Sequence, residues 1–378
     1  MRQLVPRPIK DYCIGIYDGP HATPKESDDG PVFLGIKNIT NDGQFNFSEI
    51  RHVSEQEFPK WTRRVTPQPG DVVFTYEATL HRYAIIPEGF RGCLGRRVAL
   101  IRPDSAQVDG RYLLYFFLSQ DWKATVESNV ISGATVDRIP LEKFPNFPVS
   151  LPTLSIQKEI ASILSTYDDL IENNRRRMAL LEDAARQVYQ EWFVRLRFPG
   201  REHTRIVDGV PEGWERKRLG EHLTLNYGKA LKADIRVEGP YPVYGSSGIV
   251  GTHEKALVSG PAIILGRKGN VGSVFWSSND FYPIDTVYFI NAESSDLYLY
   301  YALKSMHFIN TDVAVPGLNR DLAYSRELLL PSKGLLRSFL DTITSMHGQM
   351  EKLDEMNQKL RTARDLLLPK LMSGEIAV

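Results

Sequence analysis

The chain of 378 residues has only two cysteines, Cys13 and Cys93, and no net charge, with 46 basic side chains set against 46 acidic ones. The cysteines are far apart and lack a CxxC or a neighbouring histidine pair, which argues against a disulfide framework or zinc site. Two buried or half-buried thiols are the expectation. No apolar run approaches the roughly 18 to 20 residues that span a bilayer. The start, Met1-Arg2-Gln3-Leu4-Val5-Pro6, has no long apolar signal core. A cytoplasmic protein with no membrane partner is therefore expected. Zero net charge argues against an indiscriminate polyanion binder and leaves open one whose basic residues are concentrated locally. Also missing are an Asn-Pro-Pro-Tyr tetrapeptide, a Gly-x-Gly-x-x-Gly turn after a strand and a phosphate-binding P-loop. No catalytic, cofactor-binding or metal-binding residue is predicted. Glu142-Lys143 reads as a solvated turn rather than part of a nuclease site.

What is present can fold. Hydrophobic residues make up 42% and charged residues 24%, enough apolar surface to offset the entropy of ordering the chain. The length exceeds one ordinary core, so two or more domains are expected.

The chain also repeats itself. Ile160, Leu164, Tyr167, Ile171, Asn174, Met178, Leu181, Ala185, Val188 and Trp192 alternate steps of four and three. Adding 179 to each gives Phe339, Ile343, Met346, Met350, Leu353, Asn357, Leu360, Arg364, Leu367 and Leu371. Two such seams predict two long helices, each about 40 residues and about 60 Å at 1.5 Å per residue, that pack against each other. Asn174, Asn357 and Arg364 either set the register or mark a frayed, solvent-facing stretch. Ser155, after Pro152, is the expected cap of the first helix, and Pro199-Gly200 its end. Pro331-Ser332 starts the second, which is expected to kink or finish near Leu368 because of Pro369, with Ser373-Gly374 as a stop.

Upstream of each helix the repeat continues. Gly70-Asp71-Val72-Val73-Phe74 matches Gly260-Pro261-Ala262-Ile263-Ile264, and Val98-Ala99-Leu100-Ile101 matches Val287-Tyr288-Phe289-Ile290. These short β-branched, aromatic runs read as strands. The apolar segments Tyr112–Leu118 and Tyr298–Leu303 read as helices, and Gly133-Ala134-Thr135-Val136-Asp137 aligns with Gly317-Leu318-Asn319-Arg320-Asp321. The expectation is an α+β chain with a globular domain over 1–150, a long helix within 151–200, a second globular domain over 201–331 and a second long helix within 332–378.

The order of these elements, with Leu154-Ser155-Ile156-Gln157-Lys158-Glu159-Ile160 after the first domain and Leu367-Leu368-Pro369-Lys370-Leu371-Met372-Ser373-Gly374-Glu375-Ile376 at the end, resembles the DNA specificity subunit of type I restriction-modification enzymes. Phe33–Ile39, Pro211-Glu212-Gly213-Trp214, Tyr241–Ile249 and Leu265–Gly272 fit the same pattern, and the resemblance covers nearly the whole chain. It implies two pseudo-repeated target recognition domains, each reading half of a split asymmetric DNA target. It further implies that the two conserved helices form an antiparallel coiled coil that holds the domains apart. The implied partners are double-stranded DNA, two modification methyltransferase subunits and, in the full enzyme, restriction subunits. The chain itself is then no enzyme, and S-adenosylmethionine, ATP and Mg²⁺ belong to the partners.

Base reading needs Arg, Lys, Asn or Gln at base edges, with further basic and small polar groups on phosphates. In the second domain Arg267 and Lys268 stand in a glycine-flanked loop with Asn270, and Tyr244, Ser246 and Ser247 form a second polar loop. Lys229, Asn319 and Arg320 are further candidates. The corresponding loop of the first domain offers Thr79, His81 and Arg82 but lacks the glycines, which puts its backbone conformation in doubt. Arg96 and Arg97 before a strand, and Lys37 and Asn38 at a strand end, complete the set. Solvated charges, surface ion pairs or an ordinary turn with a packed tyrosine are the competing explanations. Two other classes remain open: a protein-interaction scaffold, which would bind no DNA, and a self-contained nuclease or methyltransferase, which would act without partners.

Overall fold

The computed structural model describes residues 5–132, 136–308 and 317–378; Met1–Leu4 and Gly133–Thr135, used in the sequence reading, lie outside them. The first domain contains β1 (Cys13–Asp18), β2 (Ser27–Leu34), β3 (Arg51–His52), β4 (Val72–Thr75), β5 (Tyr83–Ile85), β6 (Gly92–Leu94) and β7 (Val98–Pro103). Four of them form an antiparallel sheet in the order β1-β7-β4-β5. The other three form a sheet β3-β2-β6, in which β2 and β6 run parallel. The second domain contains β8 (Asn226–Tyr227), β9 (Tyr241–Gly245), β10 (Gly248–His253), β11 (Ala262–Gly266), β12 (Val274–Ser277), β13 (Tyr282–Pro283) and β14 (Val287–Ile290). Its sheets are β8-β14-β11-β12 and β10-β9-β13, with β9 and β13 parallel. Adding seven to every strand number turns the first four-stranded order into the second.

The duplication extends to single hydrogen bonds. The Gly19 N–H donates to the Val98 carbonyl at 3.0 Å, and the Gly228 N–H donates to the Val287 carbonyl at 3.2 Å. A Cβ at Gly19 would lie 2.5 Å from the Gly95 carbonyl oxygen, and one at Gly228 would lie 2.1 Å from that of Ile284. Only glycine lets the backbone approach this closely. The central strands β4 and β11 are buried throughout, which explains their continuous apolar character.

Helices follow each sheet: α1 (Gly110–Leu118) and α2 (Gln120–Glu127) in the first domain, then α3 (Leu154–Tyr189), α4 (Leu297–Ser305), α5 (Arg320–Tyr324) and α6 (Lys333–Met372). Asp109 caps α1 and Asp296 caps α4, each accepting from a backbone N–H. No helix among the described residues is long and apolar enough to cross a membrane.

The chain divides into two compact units, one up to Asn173 together with Met356–Val378, the other Asn174–Glu355. The division cuts both long helices rather than falling at their ends, because each globule packs on one end of α3 and one end of α6. In the first unit Ile160, Leu164 and Leu371 join the core around Trp122 and Phe144. In the second unit Ala185, Tyr189, Phe339 and Ile343 join the core around Tyr298 and Tyr301. Asp168 meets Arg364 in one and Glu182 meets His347 in the other: as the α3 number rises the α6 number falls, so the helices are antiparallel. The seam polars Asn174, Asn357 and Arg364 are 4%, 1% and 6% exposed, which rejects the solvent-facing alternative for all three.

Three boundaries differ from expectation. The first helix is already formed at Leu154, and the Thr153 carbonyl accepts the Gln157 N–H at 3.0 Å, so Thr153 rather than Ser155 precedes it. Ser155 instead donates to Glu159 inside the first turn. At the other end α3 passes into a wider turn over Gln190–Val194 and stops before Pro199-Gly200. Helix α6 runs through Pro369 to Met372; Leu371, 2% exposed, is buried there, and that burial outweighs the one backbone bond a proline removes. Gly374, at φ +72°, then ends it as expected. The buried Gln157 ties α3 to its globule: its side chain accepts from the Asp109 N–H and donates to the Pro152 carbonyl.

A polar contact joins helix to globule in both units, with different chemistry. In the first, Tyr115 of α1 donates to Asp168, which also binds Arg364. Adding 179 to Asp168 gives His347, and there Tyr301 of α4 meets the His347 ring at 2.9 Å while donating to Glu182 at 3.0 Å. Lys304 completes the group by donating to Glu182 at 2.6 Å. Burial, helped by the Lys304 charge and opposed by Glu182 and Glu351, holds His347 below the ordinary 6.5. Burial opposes the Glu182 carboxylate, yet Lys304 and Tyr301 hold it below the ordinary 4.5. Both folded-state values are depressed, so the stabilisation from His347 is complete above about pH 6.5 and declines as pH falls through its folded value. That from Glu182 is lost at lower pH still. Thermal unfolding measured between pH 7 and pH 5 should show falling stability in the 174–355 unit, and His347→Gln should flatten the upper part of that fall; an unchanged pH profile in the variant would refute the assignment.

Candidate nucleic-acid interface

In the second domain β11 delivers the chain into the loop Arg267–Gly272, whose reversal relies on left-handed conformations at Gly269 (φ +77°) and Gly272 (φ +79°). The Arg267 and Lys268 N–H groups both donate to the Thr286 carbonyl, and the Leu318 N–H donates to the Arg267 carbonyl at 2.7 Å. Ser246 accepts from the Asn270 N–H through Oγ and from the Ser273 hydroxyl through its carbonyl. Segments far apart in sequence, at 227–229, 246–247, 267–273 and 317–320, are thereby gathered at one end of the β8-β14-β11-β12 sheet.

Not every predicted residue faces outward. Tyr244 is 7% exposed and packs on Phe275 and Phe281. Ser246 is 9% exposed and commits its groups to the neighbouring loop. Asn319 is exposed, but its side-chain oxygen caps α5, accepting from Asp321 and Leu322. Tyr244 and Ser246 support the surface, their ring and polar groups being already committed, whereas Asn319 keeps its side-chain nitrogen without a hydrogen bond among the described residues. Ser247, Lys229 and Asn270 are exposed, and Lys268 is partly so.

Arg267 donates to the Asp285 carbonyl at 2.8 Å and lies over Tyr227, 4.9 Å from the ring centre, and over Tyr288, 5.7 Å away. Arg320 lies over the same Tyr227 ring at 5.3 Å. Burial pushes the Tyr288 hydroxyl up to about 12, with Tyr227 adding to the shift and Arg267 opposing it. Among the described residues, none of Arg267, Lys268, Arg320 and Lys229 has a carboxylate within ion-pair distance. A group of cations left without protein counter-charge suits a polyanion. Tyr227, half exposed, was missed in the sequence reading; the available signal was an aromatic beside Gly228-Lys229 at a strand end.

The equivalent loop of the first domain has the same hydrogen bonds. The Thr75 N–H donates to the Arg82 carbonyl as Gly266 does to Ser273; Tyr76 donates to Arg97 as Arg267 does to Thr286; Ile139 donates to Tyr76 as Leu318 does to Arg267. This corrects the alignment of Gly133–Asp137 with Gly317–Asp321: Arg138-Ile139 are the structural partners of Gly317-Leu318, bridged to Glu77 and Lys268 respectively. It also resolves the loop's conformation. Ala78 (φ +70°) and His81 (φ +62°) take the left-handed conformations held by Gly269 and Gly272, at a cost of about 1–2 kcal/mol each.

The surface chemistry of this first loop is different. Tyr76, in the place of Arg267, is 4% exposed. Thr79 is partly exposed. His81 sits 3.9 Å from Glu127, and burial together with Lys123 holds it below the usual histidine value. Arg82 donates to Asn41 and to the Ile36 and Ile39 carbonyls, clamping the segment after β2. Asn38, 5% exposed, braces the same segment through Gly35, Asn46 and Glu49. Asn38 thus spends its donors internally, while Arg82 commits Nε and Nη1 and its Nη2 makes no hydrogen bond among the described residues. Arg97 pairs with Glu77 at 2.9 Å and Lys37 with Glu49 at 3.3 Å. Arg96 is exposed and unpaired among the described residues. Lys37, Asn38, Arg96 and Arg97 nonetheless come together around one groove of about 620 Å³, with Arg51 and Glu26 also lining it. The two domains thus repeat a backbone while differing in the charges it carries.

Comparison with known proteins agrees with this duplication. A sequence model of the type I restriction modification DNA specificity domain matches residues 26–183 and 211–321. The chain is 25% identical to the type I restriction enzyme MjaIX specificity subunit of Methanocaldococcus jannaschii, with 98% of this chain and 89% of that protein covered. It is 22% identical to the HindI specificity subunit of Haemophilus influenzae, over 91% and 94% of the two chains. Its fold is similar to the crystal structure of a type I restriction-modification S subunit from M. genitalium, at a TM-score of 0.54 and 18% identity over 98% of this chain and 97% of that one. With its family match spanning both halves of a seven-strand repeat, the chain belongs to the DNA specificity subunits of type I restriction-modification enzymes.

Proposed function

We propose that each domain reads one half of a split, asymmetric DNA target, that the paired helices set the spacer between the halves and dock two methyltransferase subunits, and that this chain performs no chemistry. Restriction subunits join in the full complex, and S-adenosylmethionine, ATP and Mg²⁺ are held by the partner subunits. One observation supports this reading above others: a topology copied strand for strand carries Tyr76, Glu77 and Thr79 in one copy where the other carries Arg267, Lys268 and Asn270. A duplicated frame with unlike surface groups suits two readers of unlike sequences.

The test is to co-express the chain with its genomic neighbours and map methylated adenines in host DNA by single-molecule sequencing. A split motif that vanishes on deletion of this chain is expected. Absence of any motif, together with absence of a methyltransferase partner, would favour an interaction scaffold instead. Within the assembled complex, Arg267→Ala with Lys268→Ala is expected to weaken binding to the target duplex about 10- to 100-fold. It should also flatten the salt dependence by about 0.9 in log–log slope for each phosphate no longer neutralised. Unchanged affinity in a folded variant would remove this loop from the interface.

A further inference from the structure

We propose that Tyr227 is a positioning and specificity-determining residue of the second domain, its ring holding Arg267 and Arg320 as one preformed unit that faces a single half of the DNA target. The proposal rests on the reading of this domain as a DNA reader and adds a device to it. Tyr227 comes from β8, Arg267 from the loop after β11 and Arg320 from the start of α5, so three separate parts of the chain converge on one ring. The guanidinium carbons lie 4.9 and 5.3 Å from its centre, within the range of cation–π attraction. Long, freely rotating arginines lose considerable side-chain entropy when they order on a ligand. Stacking meets that cost before DNA arrives, while leaving guanidinium donors unused: Arg267 bonds the Asp285 carbonyl and the Tyr288 hydroxyl, and Arg320 makes no hydrogen bond among the described residues.

The surroundings are built to hold this arrangement. Tyr288 lies opposite Tyr227 across the β8–β14 pair, the two rings 5.1 Å apart. The Tyr288 hydroxyl donates to the Leu318 carbonyl at 3.0 Å, tying down the segment that leads into Arg320. The first domain does the opposite at the same place. Through the equivalent glycines, Gly19 and Gly228, the residue matching Tyr227 is Asp18, whose carboxylate is bound by Arg64 at 2.5 Å and by His21 at 2.8 Å. There a cation is neutralised within the protein; at Tyr227 two cations are ordered without neutralisation. The consequence of losing Tyr227 should therefore be confined to one half of the target.

The experiment uses the chain assembled with its methyltransferase partners, measuring the methylated motif in host DNA and the affinity for duplexes carrying the wild-type target or single changes in either half. Tyr227→Phe keeps the ring and should keep both motif and affinity. Tyr227→Ala should lower affinity for the wild-type duplex about tenfold and relax base preference in one half only, with discrimination in the other half intact as an internal control for folding. Unchanged affinity and motif in Tyr227→Ala would overturn the proposal, as would an equal loss in both halves that Tyr227→Phe shares. A wild-type complex specifying no split motif would overturn the DNA reading itself and this proposal with it.

Discussion

Asp168→Ala should destabilise the unit formed by the first domain and its helix ends by about 3–5 kcal/mol, the range for removing one member of a buried ion pair. The Arg364 side chain is 7% exposed and that of Asp168 14% exposed, so the mutation leaves the guanidinium paired with the well-exposed Asp365. It also removes the acceptor of the Tyr115 hydroxyl, leaving a second buried polar group unsatisfied. Hydrogen exchange resolved by peptide across α3 and α6 would locate the loss in residues 154–173 and 356–372, which matters because a chain of two units need not unfold in one step. Replacing both charges, Asp168→Leu with Arg364→Met, should recover the part of the loss that comes from the buried guanidinium, since a well-packed apolar pair often equals a buried salt bridge, while the Tyr115 hydroxyl stays without its acceptor. A loss below about 1 kcal/mol in the single variant would show that water reaches Arg364, contrary to its burial.

The second large effect is expected at Phe339. Truncation to alanine should cost about 3–5 kcal/mol in the 174–355 unit. The ring is fully buried and lies 4.9 Å from Phe193, 6.0 Å from Trp192 and 6.2 Å from both Tyr189 and Tyr298. These neighbours belong to α3, its terminal wide turn and α4, so Phe339 is where the second long helix meets both the first helix and the second globule. Large rings locked against one another cannot easily collapse into the space a phenyl group leaves, which places the expected cost toward the upper part of the range. Urea unfolding of Phe339→Ala, with Phe339→Leu as a smaller truncation, would measure it. A loss under about 1 kcal/mol would mean that the aromatic cluster repacks around the gap.

Much of this architecture is legible in the sequence. The seams beginning at Ile160 and Phe339 repeat every three and four residues, and a period of that kind is a local property that survives translation into a buried helix stripe. The strands at Val72–Thr75 and Ala262–Gly266 were equally readable, since buried central strands demand continuous apolar runs. The repeat itself was the strongest signal, because two copies of one pattern constrain each other. Where local rules misled, tertiary burial was the reason: Pro369 sits within a continuing helix because Leu371 has a core to enter, and Ala78 and His81 adopt left-handed backbone because the surrounding hydrogen bonds are those of the glycine-bearing loop.

The site was legible only as a set of candidates. Arg267, Lys268 and Arg320 could be named from residue type and position, but so could Arg82, Asn38 and Tyr244, which the fold turns inward or consumes in its own hydrogen bonds. Residue type states what a side chain is able to donate; it does not state whether a carbonyl, a carboxylate or a ring of the same protein has already taken the offer. Tyr227 and Arg320 are separated by most of a domain in sequence and meet on one surface because the strand order β8-β14-β11-β12 brings their ends together. The sequence by itself determined the repeat, the two long helices and the strands, since periodicity and burial act between near neighbours. Tertiary structure alone decided which cations remain unneutralised, since that depends on groups the chain brings together from a distance.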